Sequence, residues 1–165
     1  MDTSTLKKLV DTANDSPEKA IKFLLDCLYV YQQGDDDGLG YLGFVMSKKL
    51  LSEDGNAPSG YKLGPSDMSL VKRLKEKKNE HVIIASMGAN WEEDYENINV
   101  DDYSLPVEKK DTSGKDTRVF IKSGGRDIAY PIKLRQNSKG QWKITGGFSS
   151  VVMGVRKTKS EEEDF

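Results

Sequence analysis

Three stretches in the first third of the chain repeat apolar residues at the spacing of an amphipathic helix. The second stretch begins with Ser16 as the helix cap and Pro17 in the first turn. The third follows the aspartates at 35–37, whose charge favours a helix start. A loop over 52–65 and a short fourth helix over 65–78 come next. The predicted inward positions are Leu6, Leu9, Val10 and Ala13; Ile21, Leu24, Leu25 and Leu28; Leu39, Leu42, Val45, Met46 and Leu50; and Met68, Val71 and Leu74.

After residue 79 the pattern changes from helical to strand-like. The apolar run from His81 to Met87 is rich in β-branched residues and predicts a buried strand. Later segments alternate apolar and polar residues, as half-buried strands do. Residues 137–140 have turn chemistry, and Pro131 predicts an edge or a bulge in its strand. The predicted inward residues, with Trp142 as a core anchor, are Tyr103, Leu105 and Val107; Val119 and Ile121; Ile128, Tyr130, Ile132 and Leu134; and Trp142 and Ile144.

The order of these segments predicts an α+β fold, with N-terminal helices packed on a curved antiparallel sheet. This arrangement is similar in layout to the nuclear transport factor 2-like and cystatin-like folds, without a motif match. We expect residues 1–157 to form a single α+β domain. Residues 158–165 are expected to be an acidic, disordered tail that can reach basic surfaces of the domain.

The composition indicates a soluble protein. Its 165 residues include 25 Lys and Arg against 27 Asp and Glu, for a net charge of −2. Cys27 is the only cysteine, so an internal disulfide is impossible. The N-terminus lacks the basic and apolar regions of a signal peptide, and no apolar run is long enough to cross a membrane. We therefore expect a cytoplasmic location and no membrane partner.

Most catalytic and cofactor chemistries find no support in the sequence. Residues 38–43 have the glycine spacing of a dinucleotide fingerprint, but aspartates precede them where a strand is required. Read as a calcium loop, the same stretch puts Phe44 in place of the bidentate Glu. Cys27 and His81 could form a catalytic dyad, but a cysteine in the middle of an amphipathic helix is usually a buried, inert thiol. We predict no cofactor, no metal site and no catalytic residue, while carboxylate catalysis stays open.

The strand periodicity also predicts on which face of the sheet the charged side chains lie. If the apolar residues face the core, basic side chains share the other face of the sheet. Between residues 118 and 143 there are seven Lys and Arg and one acidic residue, Asp127. The turn at 123–127 either joins two strands or forms an anion-binding nest that carries Arg126. The basic sheet face, our predicted partner surface, comprises Arg118, Phe120, Lys122, Arg126, Lys133, Arg135 and Lys143.

Two functions are compatible with these features. The first is a non-enzymatic protein-binding domain, of adaptor or immunity type, whose basic sheet face binds an acidic protein. Nucleic acid is not the expected partner, because no RNA-binding motif overlies this face. The alternative is an enzyme or small-molecule binder with a pocket between helices and sheet. The residues expected to line that pocket are Tyr95, Tyr103, Tyr130 and Trp142.

Several motifs in the C-terminal two-thirds resemble a bacterial family of small α+β domains of unknown function. They are Val119–Gly125, Pro131–Arg135, Gly140–Lys143, Phe148–Ser150 and Gly154–Arg156. The resemblance covers about residues 61–157 and implies no established catalytic residues. Residues 126–131 depart from the family pattern, which puts in doubt any role that the family's arginine has at this point.

Overall fold

The helix over Pro17–Gln32 is the longest element of the fold and is largely buried. In the computed structural model, which describes residues 1–165, Ser16 Oγ accepts a hydrogen bond from the Lys19 amide at 3.1 Å. Leu24, Leu25 and Leu28 are fully buried. Both the start and the apolar face predicted for this helix are therefore confirmed.

The remaining elements form two antiparallel sheets and short helices. The α-helices are α1 (Thr3–Leu9), α2 (Pro17–Gln32), α3 (Pro65–Val71), α4 (Val82–Met87), α5 (Phe148–Val151) and α6 (Lys159–Glu163). Short 3₁₀ helices cover Val10–Thr12, Asp36–Phe44, Lys48–Leu50, Lys72–Lys75, Lys77–Asn79 and Trp91–Glu93. The strands are β1 (Leu51–Glu53), β2 (Tyr61–Leu63), β3 (Val107–Ser113), β4 (Asp116–Ile121), β5 (Tyr130–Gln136) and β6 (Trp142–Gly146). β1 pairs with β2, and the larger sheet has the order β3-β4-β5-β6, so the α+β class is confirmed.

The inner face of the larger sheet is filled by core side chains. Val119 and Ile121 of β4, Ile132 and Leu134 of β5, and Ile144 of β6 are each 0% exposed. They belong to one cluster of 31 buried residues that includes the apolar face of α2. The alternation predicted for these positions is confirmed. Trp142 is only partly buried and packs against the cluster from its margin, so it is not a fully buried anchor.

The strand predicted over residues 81–87 is wrong. This segment is α4, with His81 before its first residue and Gly88 at its end with a φ of 120°. Nearly every residue of α4 is buried, so the segment is apolar all round. A short apolar run carries no periodicity that separates a buried helix from a buried strand, and packing then overrides β-propensity.

The predicted third helix is a 3₁₀ helix over Asp36–Phe44, followed by Lys48–Leu50. Gly38 explains part of the glycine pattern, because a Cβ there would lie 2.6 Å from the Cys27 carbonyl oxygen of α2. The predicted loop over 52–65 contains the short β1–β2 hairpin. Gly38 therefore allows the 3₁₀ helix to pack closely against the backbone of α2.

Three further differences concern the sheet. Tyr103 and Leu105 precede β3 and lie outside any strand. Ile128 is 82% exposed in the turn before β5, so the inward alternation begins at Tyr130. Pro131 predicts an edge or a bulge; β5 is an interior strand, so the edge is wrong, and the irregularity of β5 is a register shift between Lys133 and Leu134. Its pairing with β6 reaches only Lys133, beside a register shift, so Pro131 pairs with β4 alone.

The C-terminal segment, where the sequence predicts disorder, includes one turn of helix. Thr158 caps α6, and its side chain accepts a hydrogen bond from the Glu161 amide. The Ser160 amide donates to Asp94 Oδ1 at 2.9 Å, and Glu162 lies 3.3 Å from the Arg156 guanidinium. α6 therefore packs against the Trp91–Glu93 segment rather than against the basic sheet face.

Candidate anion-binding groove

A segment beside β6 positions the candidate site. Residues 45–47 run parallel to β6 through a bridge between Met46 and Ile144. The Ile144 amide donates to the Val45 carbonyl at 2.7 Å, and the Ser47 amide donates to the Ile144 carbonyl at 2.8 Å. These bonds cover the edge of β6 and bring the next turn, Lys48–Leu50, beside the sheet.

The space between this turn and the sheet is a groove of about 540 Å³. Its lining includes five Lys or Arg side chains, with no acidic and no hydrophobic residue. We call it the basic groove, and its residues are Ser47, Lys48, Lys49, Arg135, Gln136, Asn137, Ser138, Lys139, Gln141, Lys143 and Thr145. A protein of net charge −2 thus gathers several cations around one concave surface.

Lys143 is anchored in the wall of the groove. Its ammonium donates a hydrogen bond to the Phe44 carbonyl oxygen at 2.8 Å, and its side chain is half-buried. Burial lowers the pKa of Lys143, and the neighbouring Lys48 and Lys139 lower it further. Each of these causes disfavours positive charge on Lys143, and a bound anion would offset them.

Arg135 contributes to the groove but already has an acidic partner. Its guanidinium contacts Asp116 Oδ1 at 2.9 Å, and Lys133 lies 3.7 Å from Asp116 Oδ2. Asp116 and Lys133 line an adjoining cleft of about 310 Å³, which shares Ser47, Lys49, Arg135 and Thr145 with the basic groove. The charge of Arg135 is therefore partly balanced within the protein.

Three lysines of the groove have no such partner. Lys48, Lys49 and Lys139 form no ion pair with any carboxylate within 4.0 Å. Lys48 lies 5.8 Å from the centre of the Tyr61 ring. Because no carboxylate of the protein pairs with them, the ammonium groups of these three lysines are free to form charge-assisted hydrogen bonds with an anionic ligand.

The β4 part of the predicted basic sheet face is organised differently. Arg118 forms two hydrogen bonds of 3.0 Å to Asp111 on β3. Phe120 lies between Lys109, 4.5 Å from the ring centre, and Arg118 at 5.4 Å. Lys122 donates to the Asp127 carbonyl at 3.1 Å. Each of these side chains therefore has a partner within the protein.

The sequence predicts that Arg126 lies on the basic sheet face, but its side chain packs against Tyr130 and the end of α5. Its guanidinium lies 4.8 Å from the centre of the Tyr130 ring and donates to the Ser150 carbonyl at 2.6 Å. It also reaches the carbonyls of Val151, Met153 and Gly154, which follow or end α5. Burial lowers the pKa of Arg126. The side chain satisfies carbonyl groups at a helix end, which is a structural role.

The glycine turn also has a packing role. A Cβ on Gly124 would overlap the carbonyl oxygen of Ala89. The Gly124 amide donates to the Ala85 carbonyl at 2.9 Å, and the Gly125 amide donates to Ser123 Oγ at 3.2 Å. Because these amides already have acceptors, they do not form an anion-binding nest.

Three of the four residues predicted to line a pocket direct their hydroxyl groups to partners within the protein. The hydroxyl of Tyr95 donates to the Arg156 carbonyl at 2.6 Å, that of Tyr103 to Asp26 Oδ1 at 2.7 Å, and that of Tyr130 lies 2.7 Å from Ser86 Oγ. Burial raises the pKa of Tyr95 to about 12. The sheet surface beneath the helices is occupied by core side chains.

The structure thus brings together Lys133, Arg135 and Lys143 from the predicted basic sheet face and separates them from Lys122 and Arg126. Sequence reasoning missed Lys48, Lys49 and Lys139 as site residues. The adjacent lysines follow Ser47, a capping residue, but only the bridge to β6 places them beside the sheet. Lys139 lies in the predicted turn after β5, where a side chain can reach across the sheet edge.

Fold and groove together define a small α+β domain with a concave cationic surface. The chain belongs to the family described as domain of unknown function (DUF6935), which it matches over residues 2–159. The resemblance to a family of unknown function is confirmed and extends over nearly the whole chain. No curated protein and no solved structure matches it.

Two further observations concern chemistry and membranes. No group of three or more His, Cys, Asp or Glu side chains is arranged to hold a metal ion. None of the helices combines the length and apolar content needed to span a bilayer.

Proposed function

We propose that this domain is a non-enzymatic protein-binding module that holds an acidic segment of a partner protein in the basic groove. The observation that carries the proposal is a groove with five Lys and Arg residues and no acidic residue in its lining. Such a module acts as a cytoplasmic adaptor or as an immunity-type protein that covers an acidic surface of its partner. Binding by charge complementarity gives fast association and selects against basic partners.

The shape of the groove favours a segment over a flat protein surface. Its volume of about 540 Å³ lies within the usual range of ligand sites. The Ser138 hydroxyl and the Gln141 side-chain nitrogen lie among the lysines and suit the backbone of an extended peptide, whereas the Thr145 hydroxyl already donates to the Lys133 carbonyl. Because the groove has no hydrophobic lining, we expect its affinity to depend strongly on salt.

Two features favour an acidic peptide over nucleic acid. No aromatic side chain lines the groove, so bases have no surface on which to stack. The whole protein carries a net charge of −2, which opposes the long-range attraction of a polyanion. A short acidic segment bound in the groove interacts mainly with the Lys and Arg residues that line it and less with the distant acidic residues.

The test uses a fluorescent decaglutamate peptide and the 165-residue chain. Fluorescence anisotropy at low and physiological salt gives the dissociation constant. We expect Lys48→Glu/Lys49→Glu to weaken binding by about tenfold, because each reversal replaces an attraction by a repulsion near the groove. The matched control is Lys7→Glu/Lys8→Glu on α1, an exposed lysine pair whose reversal changes the net charge equally.

Three results would overturn the proposal. Equal weakening by both variants would mean that the peptide responds to net charge alone. Tighter binding of a single-stranded oligonucleotide would indicate a nucleic-acid interface instead. Tighter binding of inorganic pyrophosphate than of the peptide would indicate a small-molecule anion site.

A further inference from the structure

A second cleft lies between the segment at the end of α1 and the side of α2 that carries Lys19, Lys22 and Asp26. Its volume is about 250 Å³, just below the range of drug-sized ligand sites. Three apolar residues form one part of its wall. The lining residues are Leu9, Thr12, Ala13, Lys19, Lys22, Phe23 and Asp26.

Asp26 gives this cleft a specific chemical character. The residue is only 1% exposed, and its Oδ1 accepts a hydrogen bond from the Tyr103 hydroxyl at 2.7 Å. Its Oδ2 is buried and has no hydrogen-bond partner. Burial raises the pKa of Asp26, whereas the Tyr103 hydrogen bond and Lys22 lower it. A buried acceptor without a donor is unfavourable, and native structures rarely leave one unexplained.

Lys22 does not fully satisfy this oxygen. Its ammonium lies 3.7 Å from Asp26 Oδ2, beyond hydrogen-bond distance, and 4.2 Å from the centre of the Tyr103 ring. Lys19, the other lysine of the cleft, lies 3.8 Å from Asp15. The cleft therefore has an apolar wall, two lysines and one carboxylate oxygen that lacks a donor.

We propose that this cleft binds a small uncharged molecule with an apolar ring or chain and one hydroxyl group that donates to Asp26 Oδ2. Because Oδ2 is buried, the partly exposed Lys22 side chain, whose ammonium lies 3.7 Å away, turns aside to admit that donor. The apolar part contacts Leu9, Ala13 and Phe23. Because two lysines and only one acidic residue line the cleft, an amine cation is disfavoured relative to a neutral alcohol. The site is independent of the proposed function and shares no residue with the basic groove.

Three matched probes test the inference: benzyl alcohol, benzyl methyl ether and benzylamine. They share a ring, but the ether lacks the donor and the amine adds a positive charge. Amide chemical shifts of the 165-residue chain are recorded while each probe is added up to its solubility limit, and they report where and how tightly the probe binds. We expect shifts confined to the cleft and an affinity for benzyl alcohol about tenfold above that for the ether.

Variants of the protein test whether Asp26 causes the preference for benzyl alcohol over benzyl methyl ether. Asp26→Asn puts an amide donor in place of the unpaired oxygen while keeping an acceptor for Tyr103, so the preference for alcohol over ether should disappear. Asp15→Asn, the matched control outside the cleft, should keep that preference. Ala13→Leu fills the cleft and should abolish binding of all three probes, which provides a second test if Asp26→Asn fails to fold.

Three results would overturn the inference. One is the absence of shifts in the cleft with any probe. Another is equal affinity for benzyl alcohol and its ether in the natural sequence. The third is tighter binding of benzylamine, which would mean that the carboxylate selects a cation rather than a neutral donor. None of these results bears on peptide binding by the basic groove.

Discussion

Arg126 and the lysines of the basic groove are all basic residues beside the larger sheet, but their surroundings differ. Arg126 donates to backbone carbonyls at the end of α5 and stacks on Tyr130. Lys48, Lys49 and Lys139 line a concave surface without a carboxylate partner. The comparison shows that the partner of a charged side chain, more than its presence on a basic face, separates a structural role from a binding role.

If the glycine turn before Arg126 is structural, a small change there should have a large effect. Gly124→Ala puts a methyl group against the Ala89 carbonyl oxygen. The atoms that it meets belong to the backbone of Ala89 and Asn90, so no flexible side chain can move aside to make room. We expect unfolding free energy to fall by about 3 kcal/mol or more. Urea denaturation, with the midpoint and slope compared, measures the change.

Gly55→Ala is the matched control for this substitution, since nothing lies within 4 Å of a Cβ at that position. Its effect should stay within about 0.5 kcal/mol. Similar stability for both variants would contradict the packing role assigned to Gly124.

The next prediction compares the two regions directly. Arg126→Met removes the guanidinium and its hydrogen bonds to the carbonyls of Ser150, Val151, Met153 and Gly154. We expect a loss of about 2–3 kcal/mol of unfolding free energy. Lys49→Met removes one charge from the groove and should change stability by less than about 0.5 kcal/mol, because the ammonium has no partner to lose. Thermal and urea unfolding of the two variants provide the comparison.

Two outcomes would remove the distinction between the regions. Equal losses in Arg126→Met and Lys49→Met would place both side chains in structural roles. No loss in either would leave Arg126 as a surface residue, as the sequence alone suggested.

Strands β4 to β6 and the cap of α2 could be predicted because they depend on local patterns. Ser16 and Pro17 specify a helix start, and the alternation through Ile132 and Leu134 specifies which face is buried. The structure of α4 could not be predicted in this way, because a run apolar on all sides has no period. Long-range packing, not local pattern, decided between helix and strand there.

The candidate site was predictable only in part for a related reason. Arg135 and Lys143 are cross-strand partners, so the strand pattern alone brings them together. Lys48 and Lys49 reach the same surface through a bridge between Met46 and Ile144, which are 98 residues apart by number. No local sequence signal encodes that contact, and none shows that Arg126 points inward toward α5.

The smallest expected effect concerns the pKa of Lys143. Burial lowers it most, and Lys48 and Lys139 lower it further. Lys48→Ala/Lys139→Ala should therefore raise this pKa toward its ordinary value while burial keeps it depressed. Because the pKa is lower in the folded than in the unfolded protein, the penalty from Lys143 is complete below the folded pKa. It disappears as the pH rises toward the unfolded value, so the contribution of this group to stability increases over that interval.

Carbon-13 NMR of the Lys143 side chain across alkaline pH measures this pKa. Decaglutamate added to the natural sequence should raise it, because a bound carboxylate stabilises the ammonium form, and the peptide should have a smaller effect in Lys48→Ala/Lys139→Ala. Lys7→Ala/Lys8→Ala on α1 should leave the pKa unchanged. If neither the double variant nor the peptide shifts it, the cations around the groove do not act together on a ligand, and Lys143 resembles Arg126 in having a structural role.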